Sequence, residues 1–375
     1  MNKMTSKERV LKALNHEAVD RVPIDLGGMA CSIHDEAYFK LKEYLHIKGD
    51  IEPIRKGSTC NYYDERILDL LSIDIRRVFA KSTGEYPKYY EDGSFVNEWG
   101  LVQKPGKFGM EMVKHPLENA EIADLDTFNW PKAKDIIDVS NMKQRAKEIY
   151  EKGEHALSMR APLNGIFEIA CWLRGTETFL CDMLLEEEFA HKLLDKILEV
   201  QIDFYELMLD EVGPYVDIVE TGDDYGSQND LLISPDCLRD FILNRRKILN
   251  QKIKLKAPNC KIFLHCCGAI MKCIPDLIAC GVGVLNPVQT NAKGMDPKEL
   301  KTKYGDKLCF HGGIDSQKSL CGDISDIREE VEKMLTIMNT NGGYILTSCN
   351  HIQNDVSPEN IIEMFHFAKK FSSQQ

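Results

Sequence analysis

Eight short stretches of β-type residues recur along the chain with helical stretches between them, and an alternation of that length leaves few folds open. They are Val22–Leu26, Ile75–Phe79, Ala156–Met159, Asp217–Glu220, Lys261–His265, Gly283–Asn286, Leu308–His311 and Tyr344–Thr347. The rhythm predicts an α/β protein built as a (β/α)8 barrel, in which chemistry sits at the C-terminal ends of the strands. At 375 residues the chain is long for one domain but within the range of a barrel with insertions, so a single barrel domain over 1–375 is expected. Residues 84–135 break the rhythm, with Pro87, Asp92-Gly93, Pro105-Gly106 and Pro116 as punctuation. This stretch reads as a β-rich excursion on the barrel, with Gly93–Gly100 and Leu101-Val102 in a hairpin pattern.

Helical signals frame the strands. Val10, Leu11 and Leu14 share a face over Ser6–Leu14, and Tyr38, Leu41 and Leu45 do so over His34–Leu45. A third helix is expected near Asp64–Leu71. The strongest periodicity runs over Glu186–Leu209, through Phe189, Leu193, Leu194, Ile197 and Leu198. Ser234-Pro235 and Ser357-Pro358 are helix starts, a capping serine followed by proline in the first turn, for helices reaching about Ile253 and Phe371.

The formal net charge of −12 argues against a nucleic-acid surface or an anionic membrane as partner. No apolar run reaches the roughly 18 residues of a membrane span, and the opening residues run into an amphipathic helix without a secretory pattern. The 13 cysteines, an odd number without framework spacing, read mostly as buried reduced thiols, and the expected location is the cytoplasm.

Three of the later strands end in residues with ligand chemistry. The fifth ends in His265-Cys266-Cys267-Gly268, and in an extended segment positions i and i+2 share a side. His265 and Cys267 can therefore share a metal, while Cys266 points away. Cys349, after the eighth strand, projects to the same barrel mouth. These three residues form a candidate zinc site with an open fourth position, and soft ligands favour zinc over magnesium or calcium. Two buried thiols and a hydrogen-bonded histidine are the plainer reading of the same spacing. Glu220 and Asp224, in the loop after the fourth strand, are candidates for a catalytic carboxylate or a fourth ligand, or else cap a helix. His311 is a candidate pocket residue with Gly312-Gly313 beside it. Asp25, Arg160, Asn286 and Gln289 end other strands and are candidate substrate contacts, although the default reading of Asp25 is a hydrogen-bonded loop carboxylate.

Lys7–Leu14, Asp20–Pro23, Leu264–Gly268, Val284–Gln289, Phe310–Asp315 and Gly343–Leu346 together resemble the uroporphyrinogen decarboxylase superfamily over nearly the whole chain. The resemblance implies a (β/α)8 barrel of that type and two candidate chemistries. The decarboxylases of the superfamily use an Arg-Gln-Ala-Gly-Arg segment after the first strand and an aspartate near the second. This chain has Leu26-Gly-Gly-Met-Ala-Cys-Ser32 and Ala80-Lys-Ser-Thr-Gly84 there, so the cationic partners of a carboxylate-rich tetrapyrrole are missing. The corrinoid-dependent methyltransferases hold zinc with a His-x-Cys and a later Cys, positions that His265, Cys267 and Cys349 match. The resemblance thus implies Zn2+, a corrinoid (methylcobamide) carried by a separate corrinoid-binding protein, and a small methyl donor or thiol acceptor, in a monomer or homodimer. Demethylation of an organic donor is the favoured direction. Methylcobamide:coenzyme M methyl transfer, uroporphyrinogen decarboxylation and a barrel merely stapled by zinc are the alternatives.

Overall fold

A computed structural model describes residues 3–28, 30–106 and 109–373. Met1, Asn2 and Met29 of the Gly-Gly-Met-Ala segment lie outside the described residues. Seven parallel strands follow one another in chain order: Ile75–Val78, Ala156–Arg160, Ile218–Gly222, Lys261–His265, Val284–Asn286, Cys309–Ile314 and Tyr344–Ser348. They occupy barrel positions two to eight. Helices pack on the outer face of this sheet, and the inner face is closed off around the barrel axis, so outward and inward strand residues are buried alike.

Position one departs from expectation. Val22–Leu26 forms a single parallel bridge, Ile24 to Leu346, instead of a strand. Pro23 has no N–H to offer a ladder, and on the other side a carboxylate replaces the ladder. Asp74 Oδ2 accepts the Ile24 N–H at 2.9 Å, while the Asp74 N–H donates to the Ile24 carbonyl at 3.0 Å. The Leu346 N–H donates to Pro23 and the Asp25 N–H to Leu346, closing the ring.

The two-residue period of the strands sorts the barrel interior into layers. The lowest is apolar: Ile75, Ala156, Ile218, Phe263, Val284, Cys309 and Ile345 cluster with Val10 and Leu14 of the helix Ser6–Leu14, which plugs the bottom. Two residues further along each strand come Arg77, Ser158, Glu220, His265, Asn286, His311 and Thr347, every one polar. Another two residues bring Arg160 and Gly222 at their strand ends and, past the strands, Cys267 and Cys349 at the mouth.

The excursion forms a four-stranded antiparallel sheet, Lys88–Tyr89, Phe95–Val96, Val102–Gly106 and Gly109–Lys114. The hairpin expected around Gly93–Val102 is its second and third strands. Phe95 and Pro87 pack against Gly57, so the sheet leans on the loop before Cys60. The long helix is Glu187–Val212. The helix starting at Pro235 runs to Lys256 through a π turn at Leu238–Leu243. No helix among the described residues is long and apolar enough to cross a membrane.

Candidate metal centre

His265 ends its strand pointing inward, and Cys267 lies two residues on, so backbone alternation brings both to one side. Cys267 Sγ is 3.3 Å from His265 Nε2. Cys266 goes the other way: it is buried, and its sulfur accepts the Tyr225 N–H at 3.4 Å. Gly268 turns the chain at φ +91°, where a side chain would also strike the backbone of Gly226 and Ser227 at 2.6 Å. Asp224 completes the group. Its Oδ1 accepts the Cys267 N–H at 2.7 Å, and the donor atoms of Asp224, His265 and Cys267 all lie within 4.8 Å of one another.

These donors fit zinc. One imidazole nitrogen, one thiol sulfur and one carboxylate oxygen at that spacing suit bonds of about 2.0–2.3 Å to a shared tetrahedral ion. Asn286 Oδ1 holds His265 Nδ1 at 2.5 Å, which leaves the Nε2 lone pair facing Cys267 and Asp224, as a metal-ligating histidine requires. Burial pushes the His265 imidazole down, partly opposed by Asp224, which keeps it neutral. Burial, followed by the charges of Asp224 and Glu168, pushes the Cys267 thiol up, so that a thiolate there calls for a cation.

Cys349 is not in this group. It is buried, its thiol donates to the Val288 carbonyl at 3.1 Å, and burial raises it to about 12. The next residue, Asn350, brings its amide nitrogen to 3.8 Å from Cys267 Sγ, so Cys349 sits at the same mouth but turned aside. The structure thus assembles two of the three expected ligands with Asp224 in place of the third.

Beneath the mouth a chain of hydrogen bonds joins most of the polar layer, with Glu220 Oε2 and Thr347 Oγ1 left without a partner among the described residues. Asn286 Nδ2 donates to His311 Nδ1 at 2.8 Å, and His311 Nε2 reaches Asp25 Oδ2 at 2.9 Å. Arg77 forks onto both Asp25 oxygens at 2.9 and 2.6 Å and gives its Nε to Glu220 at 2.8 Å; Ser158 adds 2.7 Å to the same Glu220 oxygen. Burial would raise Asp25, but Arg77 and the His311 bond outweigh it and hold the carboxyl well below the usual range. Burial likewise works against the Arg77 charge, and Asp25 and Glu220 more than restore it.

This arrangement corrects several assignments. Asp25 is a hydrogen-bonded carboxylate outside any strand, fully buried in an ion pair with Arg77, which turns it away from a substrate at the mouth. Glu220 and His311 are 1 % exposed and engaged with protein partners, so neither lines the open mouth. Asn286 joins the two histidines. Gln289 accepts the Gly268 N–H at 2.8 Å and steadies the loop after Cys267. Arg160 is set apart: its Nη2 donates to Leu163 at 3.2 Å, while buried Nε and Nη1 have no partner among the described residues.

Sequence reasoning missed Arg77, whose signal was available: a charge two residues beyond inward-facing Ile75 has to meet a carboxylate. It also missed Asp223 and Glu168. Asp223 accepts the Phe167 and Glu168 N–H groups at the start of the helix Ile166–Arg174 and pairs with Arg246. Gly165 makes room for it, since a Cβ there would lie 2.1 Å from the Asp223 carboxylate. Glu168 is pushed up to about 8 by burial and then by Asp224 and Asp223.

The uroporphyrinogen decarboxylase (URO-D) family matches residues 106–371 of the chain. The uroporphyrinogen decarboxylases of Chlorobium luteolum and Chlorobium phaeovibrioides are similar to it, 28% and 27% identical over 197 residues. That alignment covers 51% of this chain and 52% of each relative, so the chain spans about half the length of the curated relatives it matches. A solved structure of a methyltransferase from Methanosarcina mazei has a similar fold, with a TM-score of 0.64 over 98% of this chain and 99% of that one at 19% identity.

Proposed function

The chain belongs to the uroporphyrinogen decarboxylase (URO-D) family, a family of enzymes, and from that premise we propose that it is a zinc-dependent methyltransferase that passes a methyl group from a small organic donor to a corrinoid held by a partner protein. The observation that carries this reading is the Asp224–His265–Cys267 donor group at the barrel mouth. His265 and Cys267 would hold the metal, with Asp224 as a third ligand or Cys349 turning in to replace it. When bound there, zinc supplies Lewis acidity toward a thiol or an ether oxygen. Asn286 orients His265 for that task. Glu168, protonated at neutral pH, offers a proton to the oxygen that loses its methyl group. The four-stranded excursion beside the mouth favours a donor larger than a simple thiol.

Decarboxylation of uroporphyrinogen is the reading suggested by the names of the relatives. Against it, neither Gly27 nor Gly28 has room for a cationic side chain. A Cβ on Gly27 would lie 2.7 Å from Tyr63, and one on Gly28 would lie 2.5 Å from Arg77 Nε, both at positive φ.

Elemental analysis beside an assay tests the choice. We expect about one zinc per chain, lost in Cys267→Ala and kept in Cys266→Ala, and methyl transfer to a reduced corrinoid protein that depends on the metal. Cys349→Ala decides whether that thiol joins. A folded wild type that holds no zinc after supplementation and turns over uroporphyrinogen in the presence of chelator would overturn the proposal.

A further inference from the structure

Arg160 makes no salt bridge among the described residues, and its charge is felt by His265 and Glu168 beside the metal-ligand group. It ends its strand, the residue is 9 % exposed, and its guanidinium lies across Gly222, where a Cβ would meet Nη2 at 2.5 Å. Gly222 is the register partner of His265, so the glycine lets the guanidinium lie flat next to the metal-ligating imidazole. Two of its nitrogens, Nε and Nη1, are buried and unpartnered among the described residues. Leaving such donors unsatisfied is costly, most of all on a charged group, so a site of this kind is built for an acceptor that arrives later.

Two more donors face the same space. Arg55 gives Nε to the Cys60 carbonyl at 2.7 Å and leaves Nη2 buried and unpartnered. Burial, and beyond it the charge of Arg160, push this guanidinium down, which places the two arginines within each other's field. His351 accepts the Ser32 N–H on Nδ1 at 3.0 Å, so its proton sits on Nε2. With Nδ1 taken up as an acceptor, the ring adds a neutral donor, and the charges of Arg55, His265 and Arg160 all act on it. The preceding residue, Asn350, has its amide nitrogen 3.8 Å from Cys267 Sγ. Arg55 also lines an open cleft of about 320 Å³ with Lys56, a cationic approach from solvent.

We propose that Arg160, together with Arg55 and His351, forms a recognition subsite for an oxyanion, a carboxylate being the simplest case, on the small molecule whose reacting atom meets the metal-ligand group. The planar fork of Arg160 matches a carboxylate, and the buried setting strengthens the pairing. The substrate is then an organic acid, clamped at one end by cationic donors and presented at the other to His265, Cys267 and Asp224. The inference deepens the methyl-transfer reading and depends on it only for what happens at the presented end.

Calorimetric titration of the full chain with 3-methoxypropanoate and with its neutral amide tests this, in the zinc-loaded wild type and in Cys267→Ala. The acid is expected to bind at least about tenfold tighter than the amide in both proteins. Arg160→Gln removes that preference and Arg160→Lys keeps part of it. Thermal melting in buffer free of oxyanions gives a readout independent of the probe. There Arg160→Gln melts no lower than wild type, because it removes a buried charge that nothing pairs, and sulfate stabilises wild type but not the variant. Equal binding of acid and amide, binding of neither at millimolar concentration, or a marked fall in melting temperature for Arg160→Gln would overturn the subsite. Acid preference in a wild type that itself holds no zinc and transfers no methyl groups would sink the transferase reading and leave the subsite standing.

Discussion

Asn286 takes a hydrogen bond from one histidine and gives one to another, and an amide does both without carrying charge. Its loss releases His265 from the rotation that aims Nε2 at the metal. Asn286→Ala is therefore expected to weaken zinc binding by about 10–100-fold, read by competition with a coloured chelator, with Cys266→Ala as the unaffected control. Arg77 makes a different prediction. Arg77→Met leaves Asp25 and Glu220 buried without their cation and should cost about 3–5 kcal/mol in urea unfolding. Replacing all three, as Asp25→Asn, Arg77→Met and Glu220→Gln, should cost less than that single change, since no charge is then left alone. The sequence showed His265 and Cys267 plainly because their spacing is local and the alternation rule applies within one strand end. It did not show that Cys349 turns to the Val288 carbonyl, nor that Glu220 belongs with Arg77 and not with Asp224. Those are questions of rotamer and of partners 61 and 143 positions apart, which spacing does not encode.

At the scale of elements, the strand period is what organised the interior. Counting two residues from each inward apolar position reaches Arg77, Ser158, Glu220, His265, Asn286, His311 and Thr347, so the polar layer was legible once the strands were aligned by register. The first segment was not, because a proline and an outside carboxylate took over its pairing. The Ser234-Pro235 start signal found its helix, but the π turn inside it left no mark in the apolar pattern. Just past that turn, Arg246 points inward and meets Asp223, Tyr225 and Thr221. Asp223 in turn starts the helix that carries Glu168. The Glu168 carboxyl, at about 8, lies above its ordinary value of 4.5. The folded state thus holds a proton that the unfolded chain releases as pH rises past 4.5, and stability from this group is lost between about pH 4.5 and 8. Glu168→Gln removes that loss. In chelator-treated protein, its melting temperature relative to wild type should climb across that interval and level off above it; a constant difference would show that Glu168 is ionised throughout.

Over the whole molecule, the barrel, the position of seven of its eight strands and the β-rich excursion were all readable from alternation and punctuation. Closure of the ring was not. The seam beside Ile24 rests on Asp74, which also takes Arg9 at 2.7 Å and Arg21 at 2.7 and 2.8 Å. Asp74→Ala strips two buried or half-buried arginines and one backbone N–H of their partner. It should cost about 3–5 kcal/mol, and hydrogen exchange should quicken first at Ile24 and Asp74 before the inner strands respond.

That seam also sets a schedule. Ile24 is held on one side by Asp74 and on the other by Leu346, and the Val22 N–H rests on the Ser372 hydroxyl at 3.1 Å. The first segment of the barrel to leave the ribosome is thus the last to be seated, because its neighbour is made more than 300 residues later. Until then the polar layer stands open on one side, and Asp25 has no wall behind it. A nascent chain stopped short of Leu346 should be an unclosed sheet with its arginine and carboxylates still wet, unable to gather the histidine, the thiol and the carboxylate at its mouth.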